Sequence, residues 1–255
     1  MGHDEVVSGR SVTSKVVALL DAFTPGTPML SLNQLTAITG IPLSTVHRLA
    51  SELVEWGGLE HVEGTGYRIG LRLWEVGSLA PRGEDLRSAA LPVMHDLYEG
   101  THANVHLAVR DGCEALYIEK IHGPDALQVR SRRGGRLPLH ATGVGKVLLA
   151  FAPAEVADAV IAAGLPRYTA RTIIVPGHLR RTLAEVRHTG LAHAYEELTI
   201  GSLTVAAPIL GTDGAVIAAL DVVVHTTKAD ARKLGPAVRT SAISISRALR
   251  SAAPS

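Results

Sequence analysis

Ser44, His47, Arg48 and Ser51 recur at helical spacing between Leu43 and Glu55, opposite an apolar stripe of Val46, Leu49, Ala50 and Leu53. At 100° per residue this segment reads as an amphipathic helix whose outer face is built from hydrogen-bonding groups. Thr45 stands beside that face, and Arg68 follows beyond a glycine-rich turn. Hydroxyls, an imidazole and a guanidinium are the groups that pair with base edges and phosphates, Arg with guanine above all. The acids of the segment, Glu52 and Glu55, fall at its far end, which suits entry into a DNA groove by the N-terminal half. The plain alternative is a solvated face, and the flanking elements decide between the two.

Other groups invite a catalytic reading and do not sustain it. Gly143-Val144-Gly145-Lys146 resembles part of a phosphate loop, but His140 and Val147 occupy the positions where that motif needs a Gly and a Ser or Thr. A Gly-rich turn opening a helix still offers free N–H groups and a positive dipole end, which can hold a carboxylate. Equally, Gly143 and Gly145 can serve only to let a helix approach a sheet. The twelve histidines show no His-Glu-X-X-His spacing and no pairing with cysteine. His102 and His106, at strand period, should share a face with no acid partner in the pattern; His188 and His193 are scattered, and core or solvated roles suit all four. Gly-X-Ser-X-Gly is absent. Cys113, the single cysteine, excludes an internal disulfide and reads as an incidental thiol. No catalytic residues, cofactor or metal are expected.

The elements around the Ser/His/Arg face favour the nucleic-acid reading. Val12, Val16, Leu19, Leu20 and Phe23 mark a helix capped by Ser11 and closed by Pro25-Gly26. Ser31 caps a second, short helix with Leu32, Leu35 and Ile38. Gly40 then supplies a left-handed turn and Pro42 leads into the next helix. After Gly57-Gly58, Leu59 to Glu63 and Tyr67 to Ile69 read as strands around a Gly64-Thr65-Gly66 loop, a wing with Arg68 near its tip. Leu71, Leu73, Trp74, Val76 and Leu79 are too apolar for a free tether and mark a linker helix burying one side against a second subunit.

A domain boundary is expected near residue 80, where Pro81 and Gly83 interrupt the pattern, dividing the chain into 1–80 and 81–255. Leu86 to Tyr98 is helical, with Pro92 marking a kink or a late start. Strands follow at Val105–Val109 and Ala115–Ile121 around Asp111-Gly112, then Leu127–Arg130, then Leu203–Leu210 and Ala215–Val224 around Gly211–Gly214. Helices alternate with these at 145–151, 153–163, 176–189 and 229–250. The whole is α+β, an antiparallel sheet with packed helices.

Apolar residues make up 46% of the 255 and aromatics 4%, so the cores must be built from Val, Leu, Ile and Ala. No run reaches the ~18–20 apolar residues of a membrane span. Residues 1–10 lack a signal-peptide core and read as a polar tail, so a cytoplasmic location is expected. Net charge is +1, but residues 1–80 hold five Lys/Arg against eight acids, leaving that part at −3 and the remainder at +4. An acidic balance opposes phosphate binding unless the cations are placed well.

"LSTVHRLASELVEWGGLE" followed by "YRIGLRLWEVG" resembles the DNA-binding domain of the IclR family of bacterial transcription regulators. "GGRLPLHATGVGKVLLA" and "EELTIGSLTVAAPILGTDGAVIAAL" are similar to that family's effector-binding domain, which has a GAF-like fold. The resemblance spans residues 10–250. It implies a winged helix-turn-helix joined by the linker helix to a GAF-like effector domain. It also implies a homodimer, or a dimer of dimers, reading a palindromic operator in double-stranded DNA. Ser44, Thr45, His47, Arg48, Ser51 and Arg68 would contact DNA. Val129, Leu137, Gly143, Val144, Ala194, Thr204, Asp221 and Val223 would line the pocket for a small organic effector. Acid-binding members carry Asp, Cys and Ser where this chain has Ala194, Thr204 and Asp221. Asp221 lies among apolar residues, where a carboxylate needs a partner. Facing the pocket, it would repel an acid and favour a hydroxyl or amine; paired with an Arg such as Arg130, it would admit an acid; held by backbone amides, it would touch no ligand. The implied function is effector-controlled transcriptional regulation, repression above activation. The competing class is a small-molecule sensor or enzyme whose winged helix binds protein.

Overall fold

A computed structural model describes residues 11–79, 81–124, 126–227 and 231–252, so the tail expected at 1–10 lies outside the described residues. The chain divides into two compact units between Pro81 and Arg82. In the first, α1 (Val12–Asp21) begins at Ser11, whose hydroxyl accepts from the Ser14 amide. Ser31 and Gln34 form a reciprocal capping box at the start of α2 (Leu32–Thr39), satisfying two otherwise orphaned donors. Gly40 ends that helix at φ 69°, a left-handed value that only Gly adopts without strain, and Pro42 precedes α3 (Leu43–Trp56). Leu19, Leu35, Ile41, Val46, Leu49 and Leu53 close a single core between the three helices.

The wing is β2 (Leu59–Val62) and β3 (Gly66–Ile69), paired from Leu59↔Ile69 to Val62↔Gly66. Its loop is therefore Glu63-Gly64-Thr65, one residue earlier than expected. β1 (Met29–Leu30), not foreseen, pairs with β3 and makes the hairpin a three-stranded sheet. Two residues carry too little alternation to signal a strand; Leu30, buried in the core, is what holds them there. The linker helix is α4 (Leu71–Ser78).

The break expected near residue 80 separates α4 from α5 (Pro81–Thr101), which starts at Pro81 and runs through both Gly83 and Pro92, so the late start does not occur. Proline inside a helix costs about 3 kcal/mol. Burying Leu86, Met94 and Leu97, at about 1.5–3 kcal/mol each, outweighs it.

The six-stranded antiparallel sheet has the order β6-β5-β4-β9-β8-β7. Its strands are β4 (Asn104–Asp111), β5 (Glu114–Ile121), β6 (Arg136–Pro138), β7 (Ala192–Tyr195), β8 (Ser202–Leu210) and β9 (Val216–His225). Residues 127–130 form no strand: Asn104 Nδ2 donates to the Leu127 carbonyl at 2.9 Å, and β6 takes the free edge of β5 instead. β6 and β7 are short and went unforeseen.

The two sheet faces carry separate cores. Val105, Leu107, Val205, Leu220 and Val222 pack with α5 and α9 (Ala231–Ala252). Ala108, Tyr117, Ala206 and Ala219 pack with α6 (Gly143–Ala150), α7 (Ala154–Ala162) and α8 (Pro176–Thr189). Covered on both sides, the central strands lose the polar alternation of a one-sided sheet. No helix among the described residues is long and apolar enough to cross a membrane.

Every residue of α6 is buried, and the helix lies so close to the sheet that a Cβ on Gly143 would meet Thr204 Cγ2 at 2.5 Å. One on Gly145 would meet the Leu139 carbonyl oxygen at 2.5 Å. Gly145→Ala is expected to destabilise the protein by about 1–3 kcal/mol through overpacking; a denaturant midpoint equal to the wild type would show that α6 has room to spare.

Candidate functional site

The outer face of α3 is solvent-exposed where the spacing places it. Ser44, His47, Arg48 and Ser51 are exposed and Thr45 is half-buried, opposite the buried Val46, Leu49, Ala50 and Leu53. No acid stands in the first turn. Ser51 Oγ donates to the His47 carbonyl at 2.9 Å, so its proton is already committed within the helix. Among the described residues of this unit, each arginine is held by a glutamate. Arg48 meets Glu52 at 2.5 Å along α3, Arg68 meets Glu60 at 2.6 Å across the wing, and Arg72 meets Glu75 at 2.6 Å on α4. All these side chains are exposed, so each pair contributes only about 0.2–1 kcal/mol and exchanges readily for a phosphate or a base.

The second unit holds a cavity of 40 Å³ on the α6 side of the sheet. Its floor follows from strand register. Ala194, Thr204 and Val223 align across β7, β8 and β9, and the next row brings Asp221 opposite His106 on β4. Val129, Ser131 and Leu137 close one side, and Thr142 with Gly143 at the start of α6 closes another. Of the eight expected pocket residues, seven line this cavity: Val129, Leu137, Gly143, Ala194, Thr204, Asp221 and Val223. Val144 does not; it is fully buried in the core under α6, because the helix turns it away from the opening that Gly143 faces.

Residues that spacing did not single out supply the polar walls. His106 Nδ1 lies 2.7 Å from Asp221 Oδ1, and its Nε2 lies 2.8 Å from Ser131 Oγ. Asp221 lines the cavity, and its partner is His106, across the β4–β9 pairing, where the other two readings had Arg130 or backbone amides. His106 does have an acid partner, and it shares no strand face with His102, which precedes β4 in a left-handed conformation (φ 49°). Arg130 stands over the Tyr168 ring, 5.9 Å from its centre. Burial, and then the charge of Asp221, push the Tyr117 phenol well above its usual range, so it remains neutral beside the carboxylate. The signal for the His106–Asp221 pair was the parity of two apolar strands, legible only once their register is known.

Sequence comparison decides the family. Residues 12–63 match the model of the IclR helix-turn-helix domain, and residues 80–247 match that of the bacterial transcriptional regulator IclR C-terminal domain. The chain belongs to the IclR family. It is 34% identical over 209 residues to the HTH-type transcriptional regulator KipR of Bacillus subtilis, covering 82% of this chain and 83% of that one. It is 32% identical over 240 residues to XynR of Escherichia coli, covering 92% and 95%. Among solved structures, an IclR homologue from Microbacterium hydrocarbonoxydans complexed with 4-hydroxybenzoate superposes with a TM-score of 0.90 at 33% identity, covering 95% of this chain and 100% of that one. This IclR-type protein is accordingly a DNA-binding transcriptional regulator with a winged helix-turn-helix and a C-terminal effector domain.

Lys146, in the stretch similar to the family's effector-binding domain, has a structural partner. Lys146 on α6 is fully buried and donates to Glu197 Oε1 and to the His193 carbonyl, the latter at 2.7 Å. Burial pushes the Lys146 ammonium down and the Glu197 carboxyl up, each opposed by the other's charge. The pair ties α6 to the segment following β7, beside the cavity that Glu197 also lines. Lys146→Met alone is expected to cost about 3–5 kcal/mol, because it strands a buried carboxylate. Lys146→Met with Glu197→Leu should recover most of that loss. Urea unfolding of the three proteins measures both, and a double variant as unstable as the single one would contradict the pairing.

Proposed function

We propose that two copies of this regulator read a palindromic operator, chiefly to repress, and that a small organic effector in the 40 Å³ cavity changes their hold on it. The DNA reading rests above all on α3: an exposed, acid-free N-terminal half carrying Ser44, Thr45, His47, Arg48 and Ser51, with the wing directly behind it. Those residues reach base edges and neighbouring phosphates, and Arg68 on the wing reaches phosphate or the minor groove. Residues 1–80 serve as the reader, and 81–255 as the effector and oligomerisation domain. Repression is favoured because similar proteins include the transcriptional repressor IclR of Escherichia coli and the repressor AllR of Klebsiella pneumoniae.

Dimerisation is supported by α4, none of whose residues is buried within the chain. Leu71, Trp74 and Leu79 are 71%, 66% and 77% exposed, an apolar stripe on a helix too short to be stable alone. A partner copy covers that stripe in this reading. Two readers in tandem are also what so weakly basic a unit needs, since linking them replaces one weak contact by an effective local concentration. A small organic effector agrees with the 4-hydroxybenzoate bound by the Microbacterium homologue.

On a duplex from the gene's own upstream region, a salt-sensitive, sequence-specific gel shift is expected; its absence sinks the reading. Arg48→Ala should weaken that complex by about 1–3 kcal/mol, roughly ten- to a hundredfold, with stability unchanged. Trp74→Glu should move the protein towards monomer in sedimentation and weaken operator binding in parallel. A Trp74→Glu protein that remains a dimer would remove α4 from the interface.

A further inference from the structure

Resting on the assignment of the cavity to the effector, the hydrogen-bond relay on its wall restricts what that effector can be. Asp221, His106 and Ser131 are each more than nine-tenths buried, and they are joined in series by contacts of 2.7 and 2.8 Å. An ionised carboxylate only accepts hydrogen bonds. Asp221 Oδ1 therefore requires the proton on His106 Nδ1. With the ring neutral, Nε2 is bare, and the Ser131 hydroxyl donates its one proton there. What Ser131 Oγ retains for the cavity is lone pairs. Glu197 borders the same space, and its Oε2 is buried with no hydrogen-bond partner, so it offers no donor either. Arg130, the cation of the lining, is exposed and stands over Tyr168.

We propose that the effector enters with a hydrogen-bond donor, the O–H of an alcohol or phenol or the N–H of an amine, placed on Ser131 Oγ. Asp221 and His106 are positioning residues that fix the polarity of that hydroxyl and thereby exclude a carboxylate from the spot. An acid placed there meets an acceptor with no proton to share and lies near two buried carboxylates. A site built to pair a donor rejects an analogue lacking it because buried groups are then left unpaired. Asp221 lines the cavity itself and also acts on an incoming acid through Ser131.

The test compares isobutanol, isobutylamine and isobutyrate, which share a carbon skeleton, titrated into the full-length protein with histidine nitrogens labelled and followed at His106. In the free protein the His106 proton is expected on Nδ1, with Nε2 bare. Isobutanol and isobutylamine should bind at least roughly tenfold more tightly than isobutyrate, the scale of one well-placed hydrogen bond in a buried site. Ser131→Ala should bring the three together by weakening the donors alone. Asp221→Asn, whose amide donates to Nδ1, should move the ring proton to Nε2, free the Ser131 proton and bring the ratio to one or below. A merely space-filling pair would lower all three affinities alike. Isobutyrate binding as well as isobutanol, a ratio untouched by Ser131→Ala, or a bare Nδ1 in the wild type each overturns the proposal while leaving the cavity as the effector site. No response at His106 to any of the three removes the cavity assignment itself.

Discussion

The antiparallel pairing of β4 with β9 is the joint on which the second unit depends. Asn104 to Ala108 align with Val223 to Ala219 at the centre of the sheet, and that single register assigns every side chain of both strands to a face. Val105, Leu107, Leu220 and Val222 go to the core under α5 and α9; Ala108 and Ala219 go to the core under α6. The same alternation delivers His106 and Asp221 to the α6 side, in contact, from positions 115 residues apart in the chain. A slip of one residue would put His106 and Asp221 on opposite faces, burying one of them in an apolar core without its partner.

Around this joint, polar groups enter the interior only in satisfied sets. Asp221, His106 and Ser131 form one series; Lys146, Glu197 and the His193 carbonyl form another. Both lie beside the small residues Gly143 and Ala206, which let α6 approach the sheet closely. A tightly packed helix leaves little free volume, so the cavity is small, and its chemistry is set by a few oriented groups more than by its shape. The unpartnered Glu197 Oε2 is the exception to satisfaction, and it borders the cavity.

The first unit follows a different economy. Its core is aliphatic and ordinary, and its surface keeps Arg48, Arg68 and Arg72 each beside a glutamate. Exposed pairs of this kind hold the guanidinium in place at little energetic cost and partly neutralise it. So weakly basic a domain has little general attraction for phosphate, and in the proposed reading this places the weight of recognition on geometry and on a second copy.

Much of this was legible in the residues themselves. Ser11, Ser31, Gly40 and Pro42 signal helix ends through local hydrogen bonds and backbone angles, and the α3 face needs only a period of 3.6. These are short-range effects, determined within a few residues, so the sequence by itself settles the helix-turn-helix, the wing and the polar side of α3. Seven of the eight residues expected to meet an effector line the cavity. What the sequence left undecided were elements held by distant neighbours: β1, β6 and β7, the helix that runs through Pro92, and the partner of Asp221. Each depends on contacts between segments far apart in the chain. Only the tertiary structure decided that the acid on β9 meets the histidine on β4, because strand register, which no local pattern encodes, brings them together.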